Sequence, residues 1–368
     1  MNIPFVDLKA QYSEIKEEIH IAVSNVINEF AFINGPYAKK FENEFAAKQK
    51  VKYCIGVGNG TDALFLALKT IGVCKGDEVI TAANSFIATS EAITLSGAKV
   101  VFCDVHPETY NLDINRLENL INRRTKAIIP VHLYGQPCDM SKIKKIAKEN
   151  NLFVIEDAAQ AHLAEHKNKI VGGIGDIGCF SFYPGKNLGA YGDAGAIVTN
   201  NDRFAQRARM LANHGRISKY DHEFEGMNSR MDGIQGAILS VKLKYLKKWT
   251  DARINVAKVY KKHLSNLKEI KLPKQLPENE HVYHLFVIRV TERNKLQKYL
   301  VKKKIATGIH YPKALPNLSA YKYLNKKPSD FPVATKYQDE ILSLPMYPEL
   351  DENKIEYIAK CIRGFYNV

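Results

Sequence analysis

The segment Leu152-Phe153-Val154-Ile155-Glu156-Asp157-Ala158-Ala159-Gln160 decides the fold. Its opening four apolar residues suit a short strand covered on both faces. Two carboxylates end the run and small residues follow. Such a strand puts Asp157 at its carboxyl end, where open α/β sheets gather their ligands. The same alternation continues outward. Upstream lie a lysine-rich helix over 139–149, a strand at Lys126–Val131, a helix at Leu112–Ile121 and a strand at Lys99–Asp104. Before those come a helix at Ser85–Leu95 and a strand at Glu78–Thr81. An apolar helix opens at Asn59-Gly60-Thr61-Asp62, and residues 11–30 read as a helix with Ile15, Ile19, Val23 and Val26 or Ile27 on one side. Downstream the alternation persists to about residue 200. A long helical stretch spans Asp232–Leu264, and a smaller α/β unit follows, with a strand at Tyr283–Val290 and a helix near 294–304. The expected class is α/β, a mostly parallel sheet with helices on both faces. The expected domains are 1–250 and 251–368.

With 368 residues, 45% of them hydrophobic, the chain is long enough for two cores. Lysine and arginine exceed the acids by 53 − 39 = 14. Much of that surplus is lysine dispersed between Lys242 and Lys327, without a basic patch interleaved with aromatics, so nucleic acid is not an expected partner. An overall basic field favours an anionic small substrate. There is no apolar run of about eighteen residues, and Met1 to Leu8 lacks a signal-peptide pattern, so no membrane partner is expected. Cysteines at 54, 74, 103, 138, 179 and 361 lack paired metal spacing and read as thiols in a reducing cytoplasm.

A second segment bears chemistry. In Gly178-Cys179-Phe180-Ser181-Phe182-Tyr183-Pro184-Gly185-Lys186-Asn187, a strand-like run ends at a turn and Lys186 stands just past it. A lysine kept partly out of water loses its proton and attacks a carbonyl; the plainer alternative is a surface hairpin. Asp157 suits a protonated ring nitrogen, or else caps a helix beginning at Ala158. Gly60 and Thr61, opening an apolar helix, suit a phosphate. Ser181 lies near the same strand end. Phe86 can stack on a flat ring or simply pack in the core. Asn228 and Arg230 can serve an anion or pair locally. The third glycine of a dinucleotide fingerprint, a Walker lysine and a serine-elbow motif are all missing. His162, Glu165 and His166 do not follow the metalloprotease order, and no metal is expected. Schiff-base lysine, carboxylate, aromatic face and phosphate cup together are the parts a pyridoxal phosphate enzyme requires.

Beyond these readings, the chain resembles the DegT/DnrJ/EryC1/StrS family of sugar aminotransferases along nearly its whole length. The resemblance rests on Val6-Asp7-Leu8, Gly58-x-Gly60-Thr61-Asp62-Ala63-Leu64, Glu156-Asp157-Ala158-Ala159-Gln160-Ala161-His162 and Ser181 to Asn187. It continues through Gly192-Asp193-x-Gly195-Ala196, Asn213-His214-Gly215, Gly226-x-Asn228-Ser229-Arg230-x-Asp232 and His310-Tyr311-Pro312. It implies fold type I of the pyridoxal phosphate enzymes, aspartate aminotransferase-like, with a seven-stranded large sheet and a smaller C-terminal domain. Lys186 would form the internal aldimine, Asp157 would pair with the pyridine nitrogen, Gln160 would lie by the phenolic oxygen and Phe86 would cover the ring. Gly60, Thr61 and Ser181 would hold the phosphate, joined by Asn228 of a second subunit in a homodimer with shared sites. Substrate contacts would come from His162, Tyr183, Arg230, His310 and Tyr311.

The implied reaction carries an amino group from L-glutamate to a nucleotide-linked keto sugar. Relatives acting at carbon 3 tend to have glutamine where Gln160 stands, and many acting at carbon 4 have histidine. The expected product is therefore a dTDP-3-amino-3,6-dideoxyhexose of galacto or gluco configuration. A UDP-linked 3-keto-glucuronate aminotransferase, a carbon-4 enzyme and a non-catalytic regulatory protein are the alternatives. Dehydratase relatives carry histidine in place of Lys186. Leu163 departs from the pattern, since relatives usually have glycine there, and a branched side chain would narrow the sugar pocket or shift the loop that carries His162.

Overall fold

The computed structural model describes residues 1–367. Helices α1 (Leu8–Asn28) and α2 (Gly35–Gln49) open the chain, followed by β1 (Tyr53–Val57), α3 (Gly60–Thr70), β2 (Glu78–Ala82) and α4 (Ala88–Leu95). Next come β3 (Lys99–Cys103), α5 (Ile114–Leu117), β4 (Thr125–Ile129), α6 (Met140–Glu149) and β5 (Phe153–Asp157). The short β6 (Glu165–His166) and β7 (Lys169–Ile170) precede β8 (Ile177–Ser181) and β9 (Gly195–Thr199). Then follow α7 (Asp202–Leu211), α8 (Gly233–Leu243), α9 (Leu246–Leu264), β10 (Ile270–Lys271), β11 (Asn279–Glu280) and β12 (Phe286–Val290). Helix α10 (Arg293–Lys302), α11 (Pro332–Tyr337), β13 (Ile341–Leu344) and α12 (Glu352–Tyr366) complete it. Among the described residues, no helix is long and apolar enough to cross a membrane.

Seven strands form the main sheet in the order β1-β9-β8-β5-β4-β2-β3. Strand β9 pairs antiparallel with both neighbours, while β8, β5, β4, β2 and β3 pair in parallel. The carboxyl ends of β5 and β8 therefore lie side by side, and so do Asp157 and the turn that carries Lys186. The strands are almost wholly buried because helices cover both faces. Glu156 braces the sheet from within. Its carboxylate accepts from His132 Nε2 at 2.9 Å and from the backbone N–H groups of Gly172, Ile174 and Gly175 at 2.6–2.8 Å. Burial works to raise its pKa, but these donors outweigh burial and hold it below the usual value.

Several boundaries differ from the sequence reading. The helix expected from Ser85 begins at Ala88, which leaves Phe86 in the preceding turn. The helix expected over 112–121 is only α5 followed by a 3₁₀ turn at Glu118–Leu120. The long stretch from Asp232 divides where Lys244 and Tyr245 donate to carbonyls three residues back, tightening the turn between α8 and α9. The packing changes partner within α9. Trp249 belongs with Ile15, Ile19, Ile238 and Val241, whereas Val256 to Leu264 belong with Phe286, Leu342 and Ile358. A division at residue 250 misses two crossings. Ile3 packs in the second core, and Leu315, Tyr321, Phe331 and Ala334 return to the core of the main sheet. Asp104 fixes that return by accepting from the N–H groups of Val333 and Ala334 at the start of α11.

Glycine matters most where β9 meets the entrance to α3. A Cβ on Gly195 would lie 2.3 Å from the Asn59 carbonyl oxygen, which is backbone and cannot swing away. Gly195→Ala is therefore expected to destabilise the protein by about 1–3 kcal/mol through overpacking. A urea unfolding midpoint equal to that of the parent protein would contradict this close approach.

Candidate active site

Strand β8 ends at Ser181, and the chain then folds over Pro184-Gly185, with the Lys186 N–H donating to Tyr183 O at 2.8 Å. Burial pulls the Lys186 amine down to about 8, against the opposing charge of Asp157. Asp157 ends β5 and is buried, which pushes its carboxyl up. Against that push, Thr89 Oγ1 donates to Oδ2 at 2.7 Å and Ala159 N–H to Oδ1 at 3.2 Å. No helix starts at Ala158; its N–H goes instead to Cys179 O in β8. The capping reading of Asp157 is thereby removed, and a buried carboxylate remains opposite a desolvated lysine.

Three further segments converge here. Gln160 Oε1 accepts from Tyr134 N–H at 2.7 Å, and its Nε2 donates to the Tyr311 hydroxyl at 3.1 Å. The Phe86 ring lies 5.7 Å from the Tyr311 ring and is 54% exposed, an open aromatic face beside the helix that holds Thr89. His310 stacks on Phe5, bonds Ser343 Oγ at 2.8 Å and is drawn down to about 4 by burial and by the Lys186 charge. At the start of α3, a Cβ on Gly60 would fall 2.6 Å from Ser181 Cβ, so the strand end and the helix start are in close contact. Among the described residues the N–H groups of Gly60 and Thr61 have no acceptor, which suits an anion. Asn59 caps the helix through Asp62 N–H, and Ser229 Oγ ties Asp62 to Gly58, fixing the loop next to Asn228. Phosphate cup, carboxylate, aromatic face and lysine thus fit pyridoxal phosphate. Among the described residues no cluster of metal-ligating side chains occurs.

Not every expected residue lies here. His162, expected at the sugar, is fully buried between the Phe180 and Phe182 rings at 5.4 and 5.6 Å. Among the described residues neither ring nitrogen has a partner in hydrogen-bond geometry, though the Ser181 backbone is near, and burial, with the Lys186 charge after it, holds the ring neutral with a pKa of about 3. Its place is the core beneath the site. Arg230 lines a separate cavity of about 260 Å³ with Asn34, Lys39, Glu42, Arg209 and Asn213. Asn228 is exposed, and within one chain neither it nor Arg230 is brought into the Lys186 cluster. Tyr183 is 59% exposed at the Lys186 turn. Sequence reasoning missed Thr89 and Tyr134; a threonine in the first turn of a helix and a tyrosine after a strand carry no local sign of what they will meet.

Leu163 also corrects an expectation. It is buried in the core with Ala161, Val171 and Phe180, and its φ is +61°. That left-handed backbone explains why glycine suits the position. Leu163→Gly removes about 1–2 kcal/mol of backbone strain but also a buried side chain worth about 2–5 kcal/mol. The expected outcome is a net loss of stability in chemical denaturation; a gain would contradict the burial of Leu163.

The sequence pattern of the DegT/DnrJ/EryC1/StrS aminotransferase family matches residues 13–363. The chain is 45% identical over 368 residues to a Geobacillus stearothermophilus protein named a pleiotropic regulatory protein, covering 100% of this chain and 99% of that one. It is 43% identical over 363 residues, 99% of each chain, to the dTDP-3-amino-3,6-dideoxy-alpha-D-galactopyranose transaminase of Aneurinibacillus thermoaerophilus. The UDP-2-acetamido-2-deoxy-3-oxo-D-glucuronate aminotransferase of Pseudomonas aeruginosa is 40% identical over 366 residues, with 98% and 99% covered. In structure, DesV of S. venezuelae, solved with a ketimine intermediate, superposes with a TM-score of 0.97 at 38% identity, over 100% of this chain and 99% of that one. The chain belongs to the DegT/DnrJ/EryC1/StrS family and is a pyridoxal phosphate-dependent sugar aminotransferase.

Proposed function

We propose that the protein moves an amino group from L-glutamate to carbon 3 of a dTDP-linked 3-keto-6-deoxyhexose, giving the 3-amino-3,6-dideoxy sugar of galacto or gluco configuration and 2-oxoglutarate. The observation that carries the reading is the pairing of desolvated Lys186, in the turn after β8, with buried Asp157 at the end of the adjacent β5, while the exposed Phe86 ring precedes the helix whose Thr89 bonds Asp157. Gln160 at the position where carbon-4 relatives often have histidine supports carbon 3, as does the dTDP-sugar relative at 43% identity. The UDP-linked alternative draws support from the relative at 40% identity. A non-catalytic role is disfavoured by the intact lysine and carboxylate.

Bound pyridoxal phosphate supplies an aldehyde that exchanges amino groups and a ring that accepts electron density from the reacting carbon. The chain's own residues do the rest. Gly60, Thr61 and Ser181 would hold the phosphate, and Asp157 would keep the ring nitrogen protonated. Thr89 and Ala159 saturate Asp157 from the protein side, orienting its carboxylate. Phe86 would cover one face of the ring and exclude water. Lys186, with its pKa lowered to about 8, releases and recovers a proton at Nζ far more readily than an exposed lysine. A homodimer would bring Asn228 and Arg230 of a second copy to this cup. The exposed Phe30, Phe32, Ile33 and Tyr220 supply apolar surface for such an interface. Six free cysteines, five of them buried, fit a cytoplasmic setting.

Lys186→Ala is expected to remove both the visible absorbance of the cofactor-loaded protein and all turnover. Retention of either would contradict the assignment. Thr89→Val leaves Asp157 Oδ2 without its donor and should lower kcat by about ten- to a hundred-fold while the fold persists. Mass spectrometry of products from dTDP- and UDP-linked 3-keto and 4-keto sugars with glutamate tests the substrate. A 3-amino dTDP product is expected, and a 4-amino product would overturn the regiochemistry.

A further inference from the structure

The stretch from β2 into α4 carries Phe86 and Thr89, yet α4 starts at Ile87 without a capping side chain. Its start is held from outside instead, by the 314–334 segment that returns to the core of the main sheet. At one end the Leu315 N–H donates to Ala83 O at 2.8 Å. At the other the Tyr321 hydroxyl donates to Ser90 Oγ at 2.6 Å, and Ser90 Oγ donates to Ile87 O at 3.0 Å. The polarity of this chain of bonds is fixed. A carbonyl can only accept, so Ser90 gives its proton to Ile87 and takes the one from Tyr321. Ser90 and Tyr321 are both buried, and the Tyr321 ring stands edge-on to Phe102 of β3 at 5.2 Å. The returning segment is itself anchored further on, where Asn317 Nδ2 donates to Thr335 Oγ1 at 3.1 Å and Asp104 receives the first N–H groups of α11. Between the two outside holds, Ser85 Oγ donates to Phe86 O at 2.9 Å and lies 3.2 Å from Thr89 Oγ1, whose proton goes to Asp157. The Phe86 side chain is more than half exposed, so its place is set mainly by its backbone.

We propose that Tyr321 is a positioning residue for the cofactor's aromatic cover: its bond to Ser90 holds the Phe86 turn, so the returning segment sets how firmly Phe86 closes on the ring. The inference rests on the reading of Phe86 as that cover. Packing against Phe102 accounts for the Tyr321 ring and would be served equally by phenylalanine. The hydroxyl is what packing does not explain, since burying it costs desolvation that its bond to Ser90 offsets. Removing the hydroxyl alone leaves the core filled and takes one support from an uncapped helix start. The consequence is local: the turn loosens while the sheet beneath it, with Asp157 and the Lys186 turn, stays paired.

The test compares Tyr321→Phe, Ser90→Ala, the double variant and Phe86→Ala with the parent protein, cofactor-free and loaded with pyridoxal phosphate. In the cofactor-free protein, the backbone amides of Thr89 and Glu91 should exchange with deuterium faster in Tyr321→Phe, while amides of β5 and β8 keep the parent rate. On loading, the Kd for pyridoxal phosphate should rise about three- to tenfold, the loss expected for one buried hydrogen bond. The visible circular dichroism of the bound cofactor should weaken, and kcat at saturating cofactor should stay close to that of the parent. Ser90→Ala should reproduce these changes, and the double variant should be no worse than either single one, because all three lack the same bond. A parent-like Kd and dichroism in Tyr321→Phe would overturn the inference, and so would a lowered urea midpoint with no change in either, which marks a purely structural role. Additive losses in the double variant would overturn it as well. Phe86→Ala separates the two readings. If it binds the cofactor as the parent does, Phe86 is no cover and the inference falls with that reading; if it weakens binding while Tyr321→Phe does not, only the inference fails.

Discussion

A lysine amine deprived of water, opposed by one buried carboxylate, is the constraint on which the site depends. Burial drives Lys186 toward its neutral form, and the charge of Asp157 limits how far that goes. The balance needs both groups on rigid supports, because a shift of a few tenths of an ångström changes both desolvation and attraction. The supports are two parallel strands paired residue by residue, Asp157 opposite Cys179, with Glu156 bonded inward to His132 and to the loop after β7. Strand pairing thus fixes the site's geometry, and the geometry sets the protonation chemistry.

Depressed basicity alone does not mark the reactive lysine. Lys242 in α8 is also buried and also drawn down to about 8 by burial. Its Nζ donates to Gly189 O at 2.5 Å and lies 5.0 Å from the Tyr191 ring, with no carboxylate partner. It anchors the loop that follows Lys186, and among the described residues no buried carboxylate or helix start with free N–H groups stands beside it. The distinction comes from what surrounds each amine, since both have lost water to a similar extent.

Much of this was legible in the sequence because buried parallel strands announce themselves. Apolar runs of four or five residues ending in a carboxylate or a turn placed Asp157 at a strand end and Lys186 just past the turn that follows another, and Gly60 marked a helix start. What was not legible depends on contacts between distant segments. Thr89 meets Asp157 across 68 positions, and Tyr134 meets His310 across 176. The burial of His162 was not legible because the stretch from Ala158 to Leu163 folds into tight turns that send its ring down between Phe180 and Phe182. Leu163 misled for a related reason: its unusual feature is a left-handed backbone, and its side chain serves the core. The second core also recruits Ile3 from the start of the chain and yields residues 314–334 to the first, exchanges invisible to a reading that proceeds in sequence order.

The most direct measurement loads the protein with pyridoxal phosphate, reduces it with borohydride and maps the modified peptide by mass spectrometry. The account predicts a phosphopyridoxyl group on Lys186 alone. Modification of Lys242 or of dispersed surface lysines instead, or none at all, would contradict it.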